Sequence, residues 1–180
     1  MKKTVLVFGL ISGLIMIGLM TLTLVFSARF GYGHNLLLGY ANLLLGSLLV
    51  FFGIRSYREH VGHGQISFGR AVAVGMLITL VGSIGYVVSW EVIYFNFMPD
   101  FVDKYAAYLT AEARAAGKTV QEIQALAEQM KNMKVMLDNP FFNAVFSFLE
   151  PFPVGVVVTL ISAAILRKRT RPPVSEAVAA

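Results

Sequence analysis

Four long apolar runs dominate the pattern of hydrophobic and polar positions along the chain. They cover about residues 4–26, 36–54, 71–97 and 146–166. Each approaches the length of about 20 residues that an α-helix needs to cross about 30 Å of hydrocarbon. Inside a bilayer the backbone must satisfy its own hydrogen bonds, which a helix does. The pattern therefore predicts an all-α membrane protein with four transmembrane helices, forming a single integral membrane domain over residues 1–180.

A fifth segment, about residues 99–139, separates the third and fourth apolar runs and has a different pattern. It carries charges of both signs, and its apolar residues recur every three or four positions, which is typical of an amphipathic helix. Thr119 opens the sequence TVQE, a capping box in which Thr119 and Glu122 satisfy the first free amides of a helix. A helix is therefore expected from Val120 to about Asp138. Its apolar stripe consists of Ile123, Leu126, Met130, Met133 and Leu137.

A second helix is predicted just before it, from about Asp100 to Ala116, with Gly117 placed to end it. Its own apolar face consists of Phe101, Tyr105, Tyr108 and Leu109. We therefore expect a helical hairpin outside the membrane, whose two stripes face each other or the membrane surface. A single amphipathic arm lying on the bilayer is the alternative.

Composition agrees with a membrane protein. Hydrophobic residues make up 57% of the chain and charged residues 14%, whereas soluble domains are about half apolar and about a quarter charged. The chain has no cysteine, which excludes disulfides, thiolate metal sites and cysteine nucleophiles. It contains no glycine-rich phosphate loop and no nucleophile motif, so we predict that it is not an enzyme and needs no cofactor.

The net charge of +5 is read as a topology signal rather than as a nucleic-acid surface, because the basic residues stand beside the apolar runs. With four spans, one side of the membrane holds Lys2, Lys3, Arg55, Arg58, Arg70, Arg167, Lys168 and Arg169. The short opposing turn holds only Arg29. The positive-inside rule then places both termini in the cytoplasm, with residues 167–180 as a basic tail and the segment 99–139 outside.

A cleaved signal peptide is the alternative for the first run, since VFSA at residues 25–28 has fairly small side chains. The apolar region of a signal peptide is only about 7–15 residues long, which favours a spanning helix.

Small residues recur at helical spacing in all four runs. They are Gly9 and Gly13 in the first, Gly39, Gly46 and Gly53 in the second, Ala71, Gly75, Thr79 and Ser83 in the third, and Gly155, Thr159 and Ala163 in the fourth. Helices in lipid associate through close packing at such residues and through polar contacts. We predict that these faces are intramolecular seams, with a dimer interface as the alternative. Asn42 is predicted to form a hydrogen bond between helices, and a polar pathway is the other interpretation.

Two acids inside apolar runs are the candidate functional residues. Glu150 lies 17 residues before Arg167, and Glu91 lies 21 residues after Arg70, which places them about 25 Å and about 31 Å from the basic side. Both are therefore expected near the outer interface. Pro151 favours a helix start at Glu150, whose carboxylate would then cap the helix. Glu91 would be a residue of the aromatic belt or the partner of an Arg or Lys in the external hairpin. The alternative is that Glu91 and Glu150 form a proton- or cation-binding pair.

His60 and His63, in the loop REHVGHGQ, are candidate metal ligands. Two imidazoles are too few ligands, and the neighbouring glycines loosen the backbone, so we predict no metal site.

Several motifs resemble an uncharacterised bacterial membrane family, domain of unknown function 4199. They are GIRSYRE at residues 53–59, ISFGRA at 66–71, WEVIYF at 90–95 and PDF at 99–101. The resemblance implies a multi-span protein of the bacterial inner membrane and brings no activity with it. The chain departs from the pattern at His63, where the resemblance leads us to expect Gly.

The predicted function is association with a membrane protein partner or with a second copy, through the external helical segment. The alternative is a small ion or solute transporter or channel that uses Glu91 and Glu150. In both cases the protein is expected to be embedded in the lipid bilayer, and no nucleic-acid partner is expected.

Overall fold

A computed structural model describes residues 1–30 and 35–167, and the side chains of residues 1–26 and 38–167. This part of the chain is helical and contains no extended sheet. The helices are α1 Lys2–Phe30, α2 Asn35–His60, α3 Phe68–Phe97, α4 Phe101–Ala115, α5 Val120–Leu137, α6 Pro140–Leu149 and α7 Pro151–Leu166. Four helical stretches are long and apolar enough to cross a membrane, namely Lys2–Phe26, Leu38–His60, Phe68–Phe97 and Pro140–Leu166. The predicted all-α fold with four spans is confirmed.

The four apolar stretches form one bundle. Helix α1 packs against α2 and α3, and α7 packs against α2 and α3 from the other side. The fourth apolar stretch differs from the prediction, because it begins at Pro140 rather than near residue 146 and consists of α6 followed by α7. We expected Phe141–Leu149 to be an interfacial lead-in segment, whereas the structure packs it as α6 along α3.

The small-residue faces are seams within the bundle, as predicted. A Cβ atom at Gly9 would lie 2.7 Å from the Val81 side chain, and one at Gly75 would lie 2.6 Å from Thr159. The hydroxyl groups of Thr79 and Thr159 lie 3.3 Å apart and share a hydrogen bond between α3 and α7. Gly39 is the exception, because no atom of the described residues lies within 4 Å of its added Cβ.

The end of the bundle away from α4 and α5 holds the basic residues of α2 and α3. Arg58 donates a hydrogen bond to the Leu166 carbonyl at 3.4 Å, so a cation stands at the negative end of α7. The Arg70 Nε atom donates to the Tyr57 hydroxyl at 3.2 Å. Lys168 and Arg169 lie outside the described residues.

Helices α4 and α5 pack against each other as a hairpin, which is the helical pair that the sequence predicted. The Thr119 hydroxyl accepts from the Glu122 amide at 3.3 Å, and the Glu122 carboxylate accepts from the Thr119 amide at 2.8 Å, so the capping box is confirmed. Gly117 has a φ of +71°, the left-handed conformation that ends a helix. An ion pair between Lys134 and Asp103 joins the two helices.

His63 has a φ of +49° in the loop between α2 and α3, although it is not glycine. A side chain in the left-handed region costs about 1 kcal/mol or more, and glycine avoids most of this cost. We therefore expect His63→Gly to raise the free energy of unfolding by about 0.5–1 kcal/mol. Thermal unfolding in maltoside micelles measures the change.

The adjacent Gly64 supplies the matched control, since its φ is +83°. Gly64→Ala places a side chain in the left-handed region and so introduces the backbone strain that His63→Gly removes. We expect Gly64→Ala to lower the melting temperature. A lower melting temperature in His63→Gly would show that contacts of the imidazole outweigh the backbone strain.

Candidate functional site

A cavity of about 380 Å³ lies between the α4–α5 hairpin and the bundle. We call it the inner cavity. It is lined by Met16, Met20, Thr23, Leu24, Gly39, Tyr40, Asn42, Leu43, Tyr86, Trp90, Phe101, Val102, Tyr105, Met133, Leu137, Phe146, Ser147 and Glu150. The volume and the mostly apolar lining with a few polar groups are typical of small-molecule sites.

Glu150 lies at the junction of α6 and α7, with Pro151 in the first turn of α7. Its side chain makes no hydrogen bond to the amides of that helix, so the predicted capping bond is not present. Its Oε2 atom instead accepts a hydrogen bond from the Tyr86 hydroxyl at 3.0 Å.

Glu91 does not share this site. It lines neither the inner cavity nor the groove described below, and no hydrogen bond joins it to Glu150. Its Oε1 atom is buried and has no hydrogen-bond partner among the described residues. Tyr86 and Trp90 are one helical turn apart and both face the cavity, whereas Glu91 is one position further round α3. The structure therefore does not bring the two acids together.

Asn42 forms the inter-helix hydrogen bonds that the sequence predicted. Its Nδ2 atom donates to the Thr23 hydroxyl at 2.6 Å and to the Leu19 carbonyl at 3.2 Å, both on α1. Asn42 and Thr23 also line the inner cavity, where they add polar groups to the wall opposite Glu150.

Asn143 is the polar residue that sequence reasoning missed. It is fully buried on α6, and its Oδ1 atom accepts from Trp90 Nε1 at 2.9 Å and from the Ser147 hydroxyl at 3.2 Å. Its Nδ2 atom donates to the Leu137 carbonyl at the end of α5, at 2.9 Å. One side chain thus connects α3, α5 and α6. The sequence does signal this role, because Asn143 is a polar residue inside an apolar run, four positions before Ser147.

A second bond fixes the hairpin to the bundle nearby. The buried Tyr94 donates its hydroxyl hydrogen to the Asp138 carboxylate at 3.0 Å, at the turn between α5 and α6. Together with Asn143, this contact sets the distance between α5 and α3, and hence the width of the inner cavity.

A wider and more open groove lies between α5 and α6, with a volume of about 680 Å³. We call it the lateral groove. It is lined by Ala125, Glu128, Gln129, Asn132, Met133, Met136, Leu137, Phe146 and Glu150. Met133, Leu137, Phe146 and Glu150 line both spaces, so the groove and the inner cavity adjoin at Glu150.

Charged side chains on the hairpin form two exposed ion pairs among the described residues, Lys134–Asp103 between its helices and Lys104–Asp100 within α4 and its cap. The hydrogen bond to Asp103 raises the pKa of the Lys134 ammonium above its usual value, and the hydrogen bond from Lys104 lowers the pKa of the Asp100 carboxyl. Glu122 has a lowered pKa because it accepts from the Thr119 backbone amide. These groups therefore keep their charges at neutral pH.

The His and acidic side chains that could bind a metal ion do not form a cluster in the described part of the chain. The described residues contain no group of three or more His, Asp or Glu side chains that could hold a metal ion. The His60 Nδ1 atom lies 3.0 Å from the Ser56 carbonyl of its own helix, and His63 is exposed in the following loop.

The four long apolar helices, the attached hairpin and the cavity between them define an α-helical membrane protein with four spans. The family model described as protein of unknown function (DUF4199) matches residues 7–168. The chain therefore belongs to this family. A search of the curated proteins and a search of the solved structures each gave no match.

Proposed function

We propose that this protein acts by association, with the α4–α5 hairpin and the lateral groove as the contact surface for a membrane protein partner or a second copy. We also propose that it resides in the bacterial inner membrane, as the family resemblance implies, with both termini in the cytoplasm, as the basic residues beside the spans predict. The hairpin then lies on the outer side, and the chain acts without catalysis, cofactor or nucleic acid.

The observation that supports association is the exposed apolar side of the groove. Met133 and Met136 on α5 are 39% and 42% exposed, and Phe146 on α6 is 44% exposed. Helix α5 contacts the bundle through α6, which leaves this side of α5 uncovered. Methionine side chains are flexible and recur at surfaces that adapt to a partner.

A charge at Met136 tests the proposal. Met136→Glu places a carboxylate in the groove, where a docked apolar surface would leave it without water or a counter-ion. We expect the variant to lose the complex that native mass spectrometry detects after gentle extraction from the protein's own membrane. The complex should be at least about tenfold less abundant than with the unchanged chain.

Val135→Glu is the matched control, since Val135 is 68% exposed on the same helix but lies outside the groove. It should retain the complex. Loss of the complex in both variants to the same extent, or in neither, would contradict the groove as the contact surface. The mass of the retained complex distinguishes a second copy from another protein.

Transport is the second candidate, and Glu150 favours it because this carboxylate lines both spaces. Close packing of Gly75 on Thr159 and of Gly155 on Thr79 fills the bundle between Glu150 and the basic end. A route through one copy would therefore require α3 and α7 to separate. Ion flux into vesicles, compared between the unchanged chain, Glu150→Gln and Glu91→Gln, tests this candidate.

A further inference from the structure

We propose that the inner cavity binds an amphipathic molecule that carries an ammonium group on an apolar chain. Glu150 and the surrounding aromatic rings would hold the ammonium group, and the methionine and leucine side chains would hold the chain. This inference is independent of association through the hairpin, because it concerns the space beneath the hairpin.

The charge of the cavity selects the head group. Glu150 is the one charged residue among its described lining residues, and none of them is Lys, Arg or His. The adjoining groove adds a second carboxylate, Glu128, and again no cation. An anionic head group would face two carboxylates without a counter-ion, whereas a cation would be paired.

The carboxylate of Glu150 has room for such a partner. A carboxylate offers about four acceptor positions, and the hydrogen bond from Tyr86 uses one of them. Glu150 remains exposed, and the space beside it is the cavity itself. An ammonium group with N–H donors could bond to it directly, and a quaternary one would pair by charge alone.

Aromatic rings strengthen the case for a cation. Trp90 and Phe101 pack edge to face with their centroids 5.5 Å apart, and Phe101 and Tyr105 stack at 6.3 Å. All three line the cavity, as do Tyr86 and Phe146. The faces of Trp and Tyr rings attract cations, and recognition of ammonium groups by aromatic cages uses this attraction.

The remaining walls suit an alkyl chain. Met16 and Leu43 are buried and pack with Tyr86, and Met20 lies against them. Met133 closes the cavity from the hairpin side. Methionine side chains adapt to irregular apolar shapes, so these walls accept a flexible chain without one fixed geometry.

The single tryptophan of the chain, Trp90, provides a direct measurement because it lines the cavity. The full chain in maltoside micelles is titrated with three probes that share a bromoundecyl chain and differ in the head group, which is trimethylammonium, alcohol or carboxylate. Bromine quenches tryptophan fluorescence on contact. We expect saturable quenching by the trimethylammonium probe, with an affinity at least about tenfold higher than that of the alcohol, and the weakest binding for the carboxylate.

Glu150→Gln should reduce the affinity for the trimethylammonium probe to that for the alcohol, because the amide keeps an acceptor for Tyr86 and loses the charge. Glu91→Gln is the matched control and should leave all three affinities unchanged. Tyr105→Leu is a second variant that leaves Glu150 intact. It should selectively lower the affinity for the trimethylammonium probe. Equal affinities for the ammonium and alcohol probes, or an ammonium preference that survives Glu150→Gln, would overturn the proposal.

Competition identifies the source of the ammonium group. Displacement of the probe by phosphatidylethanolamine would show that a lipid head group occupies the cavity, whereas displacement by dodecylamine alone would indicate a free amphipathic amine. If neither compound displaces the probe, even when it is in large excess over the probe, the proposal is overturned.

Discussion

Gly155→Leu is expected to prevent stable folding of the bundle. A Cβ atom at this position would contact the Thr79 side chain, with Thr79 Oγ1 only 2.9 Å away, and a leucine adds three further carbon atoms. Helices α3 and α7 would have to separate, which breaks the hydrogen bond between Thr79 and Thr159. Overpacking by a few carbons costs about 1–3 kcal/mol, and loss of the hydroxyl bond adds about 1 kcal/mol.

The unfolded fraction during titration with sodium dodecyl sulfate, followed by Trp90 fluorescence, measures this loss. Gly18→Leu is the matched control, because Gly18 is exposed on α1 and no atom lies within 4 Å of its added Cβ. It should be neutral or stabilising, since leucine favours a helix over glycine by about 1 kcal/mol. Similar destabilisation in both variants would mean that the seam between α3 and α7 is not closely packed.

Asn143→Leu is also expected to have a large effect, and it acts on the attachment of the hairpin. The change leaves the Trp90 indole N–H and the Leu137 carbonyl without the partners they have in the structure. Each unpaired buried polar group costs about 1–3 kcal/mol, so for the two groups we expect a loss of about 2–6 kcal/mol. The loss should be local, because α1, α2 and α7 make no contact with Asn143 through these bonds.

Hydrogen exchange resolves where the stability is lost. The amides of α5 and α6 should exchange at least about tenfold faster in Asn143→Leu, while those of α2 and α7 change little. Asn96→Leu is the matched control, because Asn96 is exposed and donates only to the Val92 carbonyl of its own helix, at 2.9 Å. Unchanged exchange in α5 would contradict the prediction that Asn143 attaches the hairpin to the bundle.

The two predictions are linked to the inner cavity in different ways. The seam at Gly155 lies one turn beyond Glu150 along α7, so it fixes the helix that carries the carboxylate. Asn143 lies one turn before Ser147 on α6 and fixes the side of the cavity that the hairpin covers. A hairpin released by Asn143→Leu should therefore also weaken binding of the trimethylammonium probe, whereas Asn96→Leu should not.

The sequence by itself determined the features that depend on local pattern. Run length and apolar content specify the four spans, because crossing the hydrocarbon requires about 20 apolar residues. The capping box at Thr119 and the glycine at 117 specify the ends of the hairpin helices, because these signals act within a few residues. The small residues identified the seams, since only they permit close approach of two helices in lipid.

Only the tertiary structure decided which polar side chains meet. The spanning helices are apolar on every side, so their hydrophobic periodicity does not indicate which face packs inward. The small residues indicate which faces approach closely, but the rotation and offset of α3 against α6 and α7 cannot be read from them. That offset places Tyr86 rather than Glu91 beside Glu150, and it places Trp90 beside Asn143. The cavity follows from the same offset, because it is the space left where the hairpin closes over helices whose positions are set by distant contacts.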